Sequence, residues 1–423
     1  MAEVSSTEPG RGYRIYVLVL LFLVYTFNFV DRQIAGILAG PIKAELGLSD
    51  TQLGLLGGIA FALLFAGLGL PIAWLADRFN RVWIVTLALA LWSAFTALCG
   101  FARGFGQLFL CRIGVGVGEA GGVAPSYSLI SDYFPPAVRA RAYAVFSFGI
   151  PVGSAAGILF GGLIAARIDW RVAFLACGAA GLMLAPLLAF TVREPVRGGF
   201  DAPGSRTAAP PLSEVLKTLA GKRSFWLITF GATSSSTLGY GLAFWLPQFF
   251  GRSFHLSLAD LSLYYSAIAL FGGLLGIGTG GYLADRLGRT SKAAYALVPA
   301  AAFVLALPFY ALGFLSTSPA LAFVVFLIPS ALGLVWLGPV ITAITHLVAP
   351  ALRATASAVF LFINNLLGIG FGVFFFGKMS DVLRPRFGEE SLRYAILIGL
   401  GFYVLAATLL YLASRRLERD WHR

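Results

Sequence analysis

Apolar positions in this chain gather into runs long enough to cross a hydrocarbon core, about 20 residues each, separated by short polar breaks. The runs fall at 14–38, 51–76, 82–102, 105–131, 140–166, 171–192, 225–250, 258–284, 291–313, 319–346, 354–379 and 391–413. They predict twelve transmembrane helices and an all-α integral membrane fold. The longest hydrophilic interruption, 193–223, contains REPVRGGFDAPGSRTAAPP and ends in a short amphipathic piece, LSEVLKTLAGK. It reads as a linker between two halves. The expected organisation is a six-helix bundle at 1–192, a cytoplasmic linker with a short helix at 193–223, and a second six-helix bundle with a short tail at 224–423.

The two halves repeat each other. LADRFNR at 75–81 recurs as LADRLGR at 283–289, and Ser49 and Ser257 each lie 28 positions before the Asp of their copy. AVRARAYAVFSF at 137–148 aligns without gaps to ALRATASAVFLF at 351–362, identical at eight of twelve positions. Two ordered matches point to duplication, and parallel six-helix repeats around a central pathway are a transporter architecture.

Composition narrows the class. With 58% hydrophobic and 12% charged residues over 423 positions, the solvent of this chain is largely lipid. The net charge of +12 sits in short breaks between apolar runs, without a basic face on a soluble domain, so nucleic acid is excluded as a partner. Of 31 Lys and Arg, 20 fall on the side of both termini and the linker, nine on the opposite side, and Arg32 and Arg112 lie inside spans. The positive-inside rule places both termini in the cytoplasm. Arg14 precedes an apolar stretch as in a signal peptide, but the stretch is long and the first of many, so it reads as a retained helix.

Cys99, Cys111 and Cys177 lie in apolar runs without paired spacing and read as packing residues. His255, His346 and His422 sit at span ends or in the tail, with no metal-ligand spacing and no nucleophile motif. An enzyme is therefore not expected, nor a metal or cofactor. A channel would need repeated rings of charge or carbonyls. RIGVGVGEAGG is not a nucleotide fingerprint, since no strand precedes it.

On these motifs the chain resembles the major facilitator superfamily. The loop signature Gly-x-x-x-Asp-Arg-x-Gly-Arg is complete as Gly281, Asp285, Arg286, Gly288 and Arg289; in the first half Ala73 and Asn80 replace its glycines, leaving Asp77, Arg78 and Arg81. NFVDRQIAGIL, RIGVGVGEAGGVAPSYSLISDYF and FSFGIPVGSAAGILFGG resemble the first, fourth and fifth helices of the Spinster family of lipid transporters. The resemblance implies proton-driven movement of lysophospholipid- or sphingolipid-like amphiphiles, with a bacterial inner membrane as location and the proton gradient in place of a cofactor. The anion:cation symporters share the Asp-Arg pair and a Gly-Glu-Ala step, and leave small organic anions as the alternative substrates. Membrane lipids and an amphiphilic small molecule are the expected partners of a monomer.

Depth counting at 1.5 Å per residue puts Asp31 about 12 Å and Arg112 about 10 Å from the outer boundary, so an ion pair between them is expected if their helices are neighbours. Glu119, seven residues beyond Arg112, lies near the bilayer middle on almost the same helix face. One Arg shared between two acids would make a protonation switch; the alternative is a fixed pair that only joins helices one and four. Arg32 points about 100° away from Asp31 and either faces the cavity as an anion ligand or snorkels outward. The polar stretch ATSSSTLGYG at 232–241 either unwinds to offer hydroxyls to a headgroup, with Ser235 and Ser236 foremost, or bonds to its own helix carbonyls. Asn28, Tyr240, Trp336, Asn364 and Asn365 are further candidates for the cavity wall. Asp77, Arg78, Arg81, Asp285, Arg286 and Arg289 form an expected inner gate, joined by Asp132 and Arg139 as weak exposed pairs. Prolines at 125, 151, 247, 308, 329 and 339 can bend their spans.

Overall fold

The computed structural model describes residues 10–198, 200, 212–349 and 352–421, so residues 201–211 of the expected linker lie outside the described residues. Spans 1 to 6 are Arg11–Ile37, Asp50–Ala76, Arg81–Cys99, Phe105–Tyr133, Pro136–Arg167 and Trp170–Thr191; spans 8 to 10 are Leu258–Gly288, Ala294–Leu315 and Pro319–His346. Arg353–Asp420 is also apolar enough to cross, but at 68 residues it is two crossings. It is divided by the 3-10 turn Gly388–Glu390, where Gly388 takes φ +55°, into span 11 (353–387) and span 12 (391–420). Span 7, Arg223–Phe254, is a continuous helix of 32 residues whose polar middle dilutes its apolarity. The twelve membrane-length helices are therefore all present. The helix Leu212–Ala220 precedes span 7, with Val215 and Leu219 buried.

Three helix pairings recur between the halves, although spans 7 and 12 pack far more closely than spans 1 and 6. Spans 1 and 5, 3 and 6, and 2 and 4 are partners in the first half, and 7 and 11, 9 and 12, and 8 and 10 in the second. Close packing of spans 1 and 5 rests on Gly149, Gly153, Gly157 and Gly161, one per turn, set against Thr26, Val30 and Ile34. The repeated serines have one physical meaning: Ser49 Oγ accepts from Gln52 N and Ser257 Oγ from Asp260 N, so each caps the start of its span.

Three spans break at or beside the carbonyl four residues before a proline. Span 4 breaks at 120–122 before Pro125, span 5 at Phe148 before Pro151, and span 10 at 333–336 before Pro339. Proline has no amide to bond that carbonyl. Pro247 and Pro308 stay inside continuous helices.

The halves meet through spans 5 and 8, their pseudo-symmetric counterparts 11 and 2, and spans 1 and 7. Spans 2 and 11 each contain a π-helical turn, Leu55–Ile59 and Leu366–Phe371, and these face each other. A Cβ at Gly58 would lie 2.6 Å from the Gly370 carbonyl oxygen, so only glycine allows this approach.

At the end opposite the termini the halves are latched. The short helix Ala39–Leu46 stops at Gly47 (φ +63°), and the Ser49 cap then starts span 2 with Asp50 fully buried. Asp50 accepts from Lys43 Nζ (2.5 Å), from both terminal nitrogens of Arg252 on span 7 (2.7 and 2.6 Å) and from Ser380 Oγ on span 11 (2.7 Å). Asp381 accepts from the backbone amides of Asp50 and Thr51 and from Thr51 Oγ, and so caps span 2 from the other half. At the terminal end Asp77, Arg78, Asp285, Arg286 and Arg289 are exposed. The molecule is thus latched at the far end, with the charges of the repeated loop motifs left at the surface of the terminal end.

Removing Asp381 deletes one helix cap, worth about 1 kcal/mol. Removing Asp50 strands partners of a buried ion pair, worth roughly 3–5 kcal/mol. Spin labels at Ala44 and Arg386 should therefore move apart slightly in Asp381→Ala and predominantly in Asp50→Ala; equal distances in both variants and the parent would refute the latch.

Candidate functional site

Two adjacent charges on span 1 point to different places. Arg32 Nε donates to Glu119 Oε2 at 2.8 Å, with Glu119 fully buried and Arg32 13% exposed. The Arg32 guanidinium lies 4.5, 5.0 and 5.1 Å from the ring centroids of Phe65, Phe29 and Phe61. These rings take up a partly desolvated cation through their negative faces. Tyr25 and Tyr240 lie within its electrostatic reach. Arg32 does not snorkel outward in this conformation; its guanidinium turns to Glu119.

Asp31 is buried and accepts from the Cys177 thiol at 3.0 Å. It makes no ion pair with Arg112 in this conformation, which corrects the expected pairing. The reason lies in side-chain direction. Side chains tilt toward the N-terminus of their own helix, and spans 1 and 4 run antiparallel. Asp31 and Arg112, level at their Cα atoms, are tilted apart along the bilayer normal. Arg32 tilts deeper and Glu119 tilts shallower, so these two meet. Arg112 is 3% exposed, its guanidinium 5.5 Å from the Phe61 ring, with Nε and Nη1 buried and without hydrogen-bond partners. Glu119 Oε1 and both amide atoms of Asn28 are likewise buried and unpartnered. The site therefore holds one made ion pair and one cation with open donors, separated by Phe61.

On span 7 the expectation of local unwinding is overturned, because the helix is continuous. Ser234, Ser235 and Thr237 donate to Phe230, Ala232 and Thr233 carbonyls. Ser235 thus donates its proton within its own helix. Ser236 donates to Asn364 Oδ1 across to span 11 at 2.8 Å, and Tyr240 lies beside the same π turn at Gly368. Asn365 adjoins that turn and is partly exposed. Trp336 sits in the span 10 break with its ring against Phe360.

The expected inner gate divides. Arg81 is not an exposed weak pair: it is 2% exposed and bonds Asp132 (2.5 Å), Glu194 (2.6 Å) and Ser128 Oγ (2.8 Å). It pins the start of span 3 to span 4 and to the chain after span 6 within one half. Arg139 donates to the Phe134 carbonyl at the 4–5 turn. Arg286 Nη1 donates to Tyr282, one turn back on span 8.

Sequence reasoning missed Glu194, Cys177, the phenylalanine box and the Asp50–Arg252–Asp381 latch. Asp50 follows a serine that the duplication singles out, which is a signal for a capped helix start. Nothing local to Arg252 or Asp381 signals that they converge on it.

Comparison with known proteins agrees with this architecture. A family profile described as Major Facilitator Superfamily matches residues 21–373. An MFS-type efflux pump of Mycolicibacterium smegmatis is 35% identical over 95% of this chain and 92% of its own length. Protein spinster homolog 1 of Xenopus tropicalis is 30% identical over 97% of this chain and 84% of its own. The crystal structure of a bacterial homolog of the human lysosomal transporter Spinster, inward-facing and unoccupied, superposes with a TM-score of 0.88 at 32% identity, covering 98% of this chain and all of that one. Its occupied inward-facing form gives 0.86. Twelve helices in two repeated halves, closed at one end over a buried charge cluster, belong to a transporter of the major facilitator superfamily, related to its Spinster proteins.

Proposed function

We propose that the protein is a proton-coupled secondary carrier of amphiphilic, lipid-like molecules of the lysophospholipid or sphingolipid type, working by alternating access. The observation that carries this reading is the buried Arg32–Glu119 pair in its phenylalanine box, beside Arg112 with open donors. An anionic headgroup entering from the terminal end competes with Glu119 for Arg32. Glu119, left without its cation in a buried site, is then neutralised by a proton, because an unpaired buried charge is more costly than a protonated acid. Headgroup binding and protonation are thereby coupled. Asp31, held by a thiol, is the second acid; relative rotation of spans 1 and 4 brings it to the open donors of Arg112. Phe29, Phe61 and Phe65 offer apolar surface for a tail next to the cation, the combination an amphiphile needs.

The same reading puts the chain in a bacterial cytoplasmic membrane as a monomer, with both termini in the cytoplasm, and the exposed Asp77/Arg78 and Asp285/Arg286/Arg289 clusters closing as the inner gate in the outward-facing state. The excess of Lys and Arg on the terminal side supports that orientation. Glu418→Cys should react with an impermeant thiol reagent in whole cells only after permeabilisation.

Purified protein in proteoliposomes, offered lysophospholipids, sphingoid phosphates and small organic acids at several pH values, tests the substrate class. Saturable, gradient-driven uptake of the amphiphiles is expected, and preference for small hydrophilic acids would overturn the assignment. Asp31→Asn is expected to abolish proton-driven uptake while leaving the thermal unfolding profile of the protein intact. Glu119→Gln should bind the anionic amphiphile with no dependence on pH, since the competitor for Arg32 is gone. Arg32→Gln should weaken that binding by roughly 10- to 100-fold, the worth of a hydrogen bond to a charged group; unchanged affinity would remove Arg32 from the site.

A further inference from the structure

We propose that Cys99 and Cys111 form a modification site, which hydrogen peroxide closes to a disulfide bridging spans 3 and 4 beside Arg112. The register of the two antiparallel spans sets the pair. A Cβ at Gly121 would lie 2.8 Å from Ala88 Cβ, one at Gly118 2.5 Å from the Trp92 backbone nitrogen, and one at Gly114 2.4 Å from the Phe95 ring. Each contact lies one turn from the last, with steps of three and four residues alternating along each helix. The next pair in that series is Cys111 with Cys99, and their thiols lie against each other. A disulfide joins Cα atoms roughly 4.4–6.8 Å apart, and facing positions on helices in backbone contact meet that requirement. Span 4 presents glycine at the three other positions of the series; the far-end position alone places a sulfur on both helices. Cys177, the third thiol, is engaged with Asp31 and stands outside the series.

Cys99 is fully buried and Cys111 half-buried, so Cys111 is the thiol that a peroxide reaches. Reactive thiols have a cation close by, and the Arg112 guanidinium lies within electrostatic reach of both sulfurs. The Cys111 sulfur bonds to one peroxide oxygen, the O–O bond breaks, and the leaving hydroxide takes the thiol proton as water. Cys111 is left as a sulfenic acid. The Cys99 sulfur then bonds to the Cys111 sulfur, the S–O bond breaks, and the second hydroxide leaves as water with the Cys99 proton. Two thiols and one peroxide give one disulfide and two waters; the sulfurs are oxidised and the peroxide oxygens reduced. Span 3 is itself held to span 6, where Gly178 and Gly181 meet Ser93 and Ala97, so the bridge adds span 4 to that pair at the residue before Arg112. Its consequence for transport rests on the carrier reading above: span 4 must turn relative to span 1 to bring Arg112 to Asp31, and the bridge prevents that turn.

The experiment treats the purified full-length protein in micelles with hydrogen peroxide, caps the remaining thiols and maps the unreduced peptides by mass spectrometry. A Cys99–Cys111 cross-linked peptide is expected in the parent and in Cys177→Ser, and it should disappear on treatment with dithiothreitol. Cys99→Ala exposed to peroxide and dimedone should carry the sulfenic acid adduct at Cys111. Absence of the cross-linked peptide, a bridge to Cys177 in its place, or an adduct at Cys177 and not at Cys111 would overturn the site. A bridge formed by diamide but not by peroxide would overturn peroxide as the oxidant. In proteoliposomes offered lysophosphatidylglycerol, the oxidised parent should lose most of its uptake and regain it with dithiothreitol, while Cys111→Ala should keep its uptake in peroxide. A bridged parent with undiminished uptake would overturn the effect on transport. Failure of the reduced parent to take up the lipid at all would count against the carrier reading, and the peptide map would still decide the site.

Discussion

A charge that has left water must find a partner, and in this molecule that constraint acts on a handful of side chains at membrane depth. Arg32 and Glu119 satisfy it with each other and with a box of three phenylalanines. Arg112 satisfies it incompletely, with two buried donors open. Because the low-dielectric surroundings make an unpaired ion so unfavourable, each of these charges depends on the partners that its neighbours leave it. The interior of the first half therefore carries an electrostatic constraint that an all-apolar bundle of the same shape would not.

The scaffold that holds these groups comes from duplication. Pairing of spans 1 and 5 is reproduced by 7 and 11, and the contact of 5 with 8 by that of 11 with 2. The two copies have nonetheless diverged where their ends meet. At the far end, Asp50, Arg252 and Asp381 join the halves through charge and through a helix cap lent from one half to the other. Such contacts are directional and few, so they separate as a unit. The facing π turns at Gly58 and Gly370 lie deeper, where backbone touches backbone; that position is suited to a pivot, since closeness there does not depend on long side chains.

Much of this was legible in the chain, and the limits are instructive. Twelve crossings and the repeat follow from apolar run length and from matched heptapeptides. Span 7 shows why composition alone undercounts: its serines and threonines lower its apolarity, yet Ser234, Ser235 and Thr237 bond within the helix and Ser236 to Asn364, so the span crosses as one piece. Arg81 was visible as part of a loop motif but not as a buried clamp, because its partner Glu194 lies 113 residues away.

By itself the sequence determined the helix count, the duplication, the family signature and the identity of the intramembrane charges, because these rest on run length, periodicity and local motifs. Tertiary structure decided which charges meet. Cα depths can be counted along a helix, but the direction of a side chain depends on which way its neighbour runs, and antiparallel spans 1 and 4 tilt Arg32 toward Glu119 while parting Asp31 from Arg112. The far-end latch was likewise a tertiary matter, since its acids and bases come from spans 2, 7 and 11 and share nothing in sequence but the place where the two halves close.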